Sequence, residues 1–126
     1  MKKIITTNAA PAPIGPYNQA VLSGNTLYTS GQIAINPTTG NLVLDNIETE
    51  TKQVMANLKA VLEAAGMTFE NVIKSSIFIS NMDDFGIINS VYGNFFNEAT
   101  APARETVQVA RLPKNVNVEI SVIAVK

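Results

Sequence analysis

A single arginine stands at the head of an alternating run, APARETVQV, two residues after Pro102. Further on, the run NVEIS places one carboxylate, Glu119, in a second alternating stretch. Arginine offers a planar fork of donors that suits a carboxylate or a phosphate. A lone glutamate on a strand suits proton transfer or the orientation of a water. From spacing alone, Arg104 fits an interfacial salt bridge as well as an anion anchor. Glu119 likewise fits a solvated strand position as well as a general base.

The rest of the composition narrows the chemistry. The 126 residues include no cysteine and no histidine. Disulfides, thiol nucleophiles, Cys/His zinc sites and any histidine-based triad are therefore ruled out. Acid–base work falls to carboxylates, Lys, Tyr, backbone groups or water. The net charge is −1, and the only clustered cations are Lys2 and Lys3, so the basic footprint of a nucleic-acid binder is missing. No apolar run approaches a membrane span, and the start MKKIITTNAA lacks the apolar stretch of a signal peptide. A cytoplasmic protein with no membrane association is the expectation. Hydrophobic residues make up 46% and charged residues 15% of the chain. So few charges on one small domain, spanning 1–126, suggest surface hidden against further copies.

These residues must be positioned by strands and two helices. Short β-prone runs cover 3–7, 19–22 and 26–32, with Gly24-Asn25 as the turn between the last two. Asp45 and Glu48 have the spacing of a capping box. Ile47, Val54, Met55, Leu58, Val61, Leu62 and Ala65 then recur at helical spacing, and Gly66 supplies the stop. A strand follows over 71–80. Asp83 or Asp84 is placed to cap a second helix with Phe85, Ile88, Val91, Tyr92, Phe95 and Phe96 on its apolar face. The spacing favours these aromatics as core. Strands over 105–111 and 116–125 close an α+β layer.

In the last strand Val116, Val118, Ile120, Val122 and Ala124 share an apolar face, and Asn117, Glu119, Ser121, Ile123 and Val125 share the other. In the strand before it, the same alternation sets Glu105, Val107 and Val109 towards the helices and Arg104, Thr106 and Gln108 away. Pairing of these two strands as a hairpin would put Arg104 and Glu119 on one side of the sheet. Two helices leave one sheet face uncovered, and an uncovered face carrying Ile123 and Val125 invites a partner.

The segments IGPYNQAV, YTSGQI, VYGNFFNEATAPARETVQVARLP and NVEISVIAV resemble the RidA (YjgF) family of imine/enamine deaminases over essentially the whole chain. The block PAR-x-x-V-x-V-A-R-L-P followed by VEI is far longer than a chance motif. The resemblance implies a chorismate-mutase-like single domain, a mixed sheet of about six strands with two helices on one face. It implies a homotrimer with sheets facing inward and pockets between subunits. It also implies cofactor-free, metal-free hydrolysis of 2-imino acids and their enamine tautomers, such as 2-aminoacrylate and 2-iminopropanoate, to 2-oxo acids and ammonia.

The resemblance assigns roles residue by residue. Arg104 matches the arginine that binds the substrate carboxylate. Glu119 matches the glutamate that orients and activates water. Tyr17 matches a pocket tyrosine that hydrogen-bonds substrate or water. Ser30, Gly31 and Asn89 match pocket-lining positions, and the backbone around Thr106 matches a donor to the carboxylate or imine. Two departures stand out. Thr106 replaces a cysteine found in many relatives, and Ser121 replaces a second glutamate. Three other functions remain as rivals: a carboxylate-sensing or partner-assisting trimer, an RNA-directed translation inhibitor or endoribonuclease, and pericyclic chemistry on the same fold.

Overall fold

The computed structural model describes residues 1–126. Six strands form one mixed sheet: β1 (Lys2–Ile5), β2 (Ala20–Ser23), β3 (Thr26–Thr29), β4 (Val72–Ile79), β5 (Ala103–Gln108) and β6 (Val118–Val125). The two α-helices are α1 (Ile47–Ala64) and α2 (Phe85–Gly93). The strand order is β1-β2-β3-β6-β4-β5. All pairs are antiparallel except β4 with β5, which is parallel. No helix is long and apolar enough to cross a membrane.

Both helices pack on one face, as the α+β reading requires. Val54, Met55, Leu58, Val61 and Leu62 of α1 bury against Leu27, Ile77, Ile79, Val118, Ile120 and Val122 of the sheet. The helical period of the first set and the two-residue period of the second make one continuous core. The other face carries Tyr28, Val107, Glu119, Ser121 and Ile123, none of them buried.

Gly66 (φ +73°) ends α1 in a Schellman motif, in which Met67 N–H donates to Leu62 O and Gly66 N–H to Glu63 O. The N-cap lies one residue later than expected. Asn46, not Asp45, accepts from the Thr49 N–H at 2.8 Å, and Glu48 pairs with Lys52 at 3.2 Å instead of folding back. Asp and Asn cap about equally well, so two adjacent candidates cannot be ranked from composition. In the β2–β3 turn only Gly24 takes positive φ. Asp84 stands at the N-cap of α2 without a side-chain cap bond. The cap is supplied upstream by Asn81, which starts a 3-10 turn over Met82–Asp84. The second helix is shorter than its apolar pattern, and Phe95 and Phe96 lie beyond it, clustered with Phe69.

The larger correction concerns β5. It does not form a hairpin with β6; β4 lies between them. The parallel register sets Arg104 beside Ser75 and Thr106 beside Ile77, on the helix-covered face. Glu105 and Val107 join Ser76 and Phe78 on the open face. Both faces of β5 are therefore the reverse of the sequence-based expectation. As an edge strand, β5 is only half-covered on its helix side, and a polar alternation there carries no inside-or-outside signal.

A buried carboxylate ties α1 to the start of β6. Glu50 is fully buried and accepts from Asn117 N–H at 2.7 Å, Asn117 Nδ2 at 2.8 Å and Val118 N–H at 3.2 Å. Glu50→Ala should leave these donors unpaired and lower stability by about 3 kcal/mol in urea unfolding. A change within about 0.5 kcal/mol would mean that water replaces the carboxylate.

Candidate active site: two half-sites on opposite faces

The candidate residues gather in two groups, one on each face of the sheet. On the helix-covered face, the Arg104 Nη1 donates to Asn89 Oδ1 at 2.7 Å. Its guanidinium lies 5.1 Å from the ring centre of Tyr92 and 5.7 Å from that of Phe85. Neither ion pair of the chain, Lys52–Glu48 or Lys74–Glu105, involves it. One donor is used and the rest of the fork is free for an anion. A cavity of about 350 Å³ opens here, lined by Asn89, Tyr92, Phe96, Glu98, Ala101 and Arg104. Thr106 lies two residues along the same face, and its hydroxyl is buried without a hydrogen-bond partner.

On the open face, Glu119 faces a cavity of about 310 Å³ with Ile14, Tyr17, Ser30, Gly31 and Pro113. Burial raises its pKa above the ordinary carboxylate range, and no opposing charge offsets the effect. A carboxylate so placed is a stronger base than a solvated one. The hydroxyl of Tyr17 accepts from the Ile14 N–H at 3.3 Å and keeps its own proton to donate. Ser30 is turned elsewhere: its hydroxyl donates to Asn18 O.

Backbone contacts fix where Glu119 stands. Gln32 and Ile120 exchange N–H···O bonds of 2.8 and 3.1 Å, which lays the segment after β3 along β6. Gly31 then lies directly under the carboxylate. A Cβ built there would come within 2.7 Å of both Cδ and Oε2 of Glu119. The glycine is needed for close approach, and its φ is unexceptional. Gly31→Ala can be relieved only by moving the flexible end of Glu119. Any catalysis that relies on the placement of Glu119 should fall about a hundredfold, while stability changes by less than about 1 kcal/mol. Steady-state kinetics and thermal unfolding of the same sample check both parts.

Sequence reasoning missed the residues that hold this frame. Gln19 is buried and binds Thr7, Ala10 and Pro11, fastening the loop that carries Tyr17. Asn57 is buried on α1 and donates to the carbonyls of Ile33 and Ile35. A polar residue at an apolar position of the α1 stripe was the available signal for Asn57. For Gln19, flanked by a loop and a short strand, there was none. No group of three or more acidic side chains is placed to hold a metal.

Arg104, Asn89 and Thr106 thus share one face, and Glu119, Tyr17 and Gly31 the other. The expectation that Arg104 and Glu119 lie on one side of a single chain's sheet does not hold. Each cavity has what the other lacks.

The domain is a six-stranded α+β layer with an arginine free of ion pairs on one face and a half-buried carboxylate on the other. Comparison with known proteins places it. Residues 7–126 match the family described as Endoribonuclease L-PSP. A RutC family protein of Synechocystis is 53% identical, over 98% of this chain and 95% of that protein. The Escherichia coli protein named 2-iminobutanoate/2-iminopropanoate deaminase is 47% identical, over 100% of this chain and 99% of that one. The crystal structure of E. coli TdcF with bound serine superimposes with a TM-score of 0.92 at 45% identity, covering 98% of each chain. The chain belongs to the RidA (YjgF) family.

Proposed function

We propose that this protein hydrolyses 2-imino acids and their enamine tautomers to 2-oxo acids and ammonia, in a site completed between subunits of a homotrimer. The observation that carries the reading is the division of the candidate residues between two faces. The free Arg104 fork suits the substrate carboxylate. The unpartnered Glu119, with its raised pKa, suits activation of water. Neither cavity holds both groups, and the uncovered face bearing Glu119 offers the surface on which a second copy would bring an Arg104 half-site. The name of the E. coli relative supports the substrate class.

The reaction needs few groups. Arg104 binds the carboxylate of 2-iminopropanoate and fixes C2. Glu119 takes a proton from water, whose oxygen adds to C2 as the C=N π pair moves to nitrogen. The proton returns from Glu119 to the nitrogen of the carbinolamine. Glu119 then carries the carbinol O–H proton to that nitrogen, the C–N bond breaks with its electron pair leaving on ammonia, and the C=O forms. Imino acid and water become pyruvate and ammonia. Tyr17 is placed beside Glu119 to donate to the water or the developing alkoxide. An iminium is already a good electrophile, so a modest base suffices.

A second reading, a carboxylate sensor without turnover, is favoured by the serine held in TdcF. The nucleic-acid alternatives fit poorly with a chain that lacks histidine and carries nine cations against ten anions. The deciding experiment follows ammonia and 2-oxo acid released from freshly generated 2-iminopropanoate. Wild type should accelerate the release and Arg104→Ala should not. No acceleration by wild type would leave the sensor reading in its place.

A further inference from the structure

We propose that Tyr92, anchored by Ser75, is the positioning residue that sets the plane of the Arg104 guanidinium and so governs affinity for a carboxylate. The proposal rests on the reading of Arg104 as the carboxylate anchor.

A bidentate fork is useful only if its plane is held. The bond from Arg104 to Asn89 Oδ1 fixes one nitrogen and leaves rotation about that bond open. The ring of Tyr92, 5.1 Å from the guanidinium carbon, supplies a second restraint within cation–π range. That ring is itself immobilised. Its hydroxyl donates to Ser75 Oγ at 2.9 Å, and its ring packs against that of Phe96, tilted by 36° with 4.6 Å between centroids. Phe85, the other ring near the guanidinium, has no such polar anchor.

Packing alone does not explain Ser75. It is fully buried on the core face of β4, where Val72, Ile77 and Ile79 are apolar. Most buried hydroxyls find a partner, and Tyr92 is the partner of this one. Ser75 is also the direct register partner of Arg104 across the β4–β5 pair. One strand pair thus carries both the guanidinium and the anchor of the ring beneath it. Burial raises the pKa of the phenol, so it stays protonated and remains a donor.

The test measures pyruvate binding by calorimetry on the assembled protein, alongside KM and kcat for 2-iminopropanoate. Tyr92→Leu should weaken pyruvate binding and raise KM about tenfold, with kcat changed less than about twofold, the pattern of lost uniform binding. Tyr92→Phe keeps the ring and should stay within about threefold of wild type, even if its unfolding temperature drops. Ser75→Ala should weaken binding in the same direction by about threefold, because the ring loses its anchor. A folded Tyr92→Leu protein with wild-type affinity overturns the proposal, as does Tyr92→Phe behaving like Leu. Should Tyr92→Leu fail to fold, unchanged affinity in Ser75→Ala is the overturning result. Arg104→Ala serves as the reference. If it binds pyruvate as wild type does, the anchor reading falls and this proposal with it. If it loses binding while the Tyr92 variants do not, this proposal alone is wrong.

Discussion

Glu119→Gln is expected to lower turnover of 2-iminopropanoate on the order of 10²–10⁴-fold, the range for a lost general base, while pyruvate still binds. The same substitution should stabilise the protein at neutral pH. Burial raises the Glu119 pKa, so the native state favours its protonated form. The resulting stability is fully present below the unfolded-state pKa and is lost as pH rises through the higher folded value. At pH 7 the ionised side chain is therefore a burden on the fold, and Gln removes it. Thermal scans should give the variant the higher unfolding temperature at pH 7, with the gap closing below about pH 4, near the pKa of an unperturbed glutamate. A variant that is both inactive and less stable would mean that the carboxylate serves the structure. In wild type, activity should fall on the acid side at a pH above the ordinary carboxylate range. That limb reports the base in its ionised form.

Mixing two inactive variants should restore activity. Arg104→Ala keeps the Glu119 half-site and Glu119→Gln keeps the Arg104 half-site. If the working pocket joins the two across a subunit boundary, unfolding and reassembling an equal mixture should leave about a quarter of the pockets with both groups intact. Each variant refolded alone should stay inactive. No recovery from the mixture, with oligomers confirmed by light scattering, would place both groups' work within one chain. The opposite-face geometry within a chain makes that outcome hard to accommodate.

Much of this architecture could be read from the sequence, and the exceptions have physical causes. The α1 stripe and the core face of β6 rest on strong periodicity and Gly66 on its positive φ, and all three are present, although β6 starts at Val118 and Val116 packs with Ile33 and Leu112 instead. The helix-free second face followed from having only two helices. The pairing of β5 did not follow, because adjacent strands in sequence usually pair, and here β4 intervenes. The position of Arg104 was evident from its motif, but its face was not. Tyr92 is core, as its helical spacing predicts; its service to Arg104 depends on a cross-strand neighbour that no local pattern reveals.

The strand order also bears on how the chain acquires its shape. β6, last of the strands in sequence, is an inner strand of the sheet, paired with β3 on one side and β4 on the other. Until it arrives, β1-β2-β3 and β4-β5 are separate fragments with exposed edges. During synthesis most of the chain must therefore emerge from the ribosome before its halves can join. The two pairings also span long stretches of sequence, with Leu27 opposite Ala124 and Val72 opposite the same residue. Folding is thus expected to be slow for a domain of this size, and the waiting fragments are where aggregation would begin.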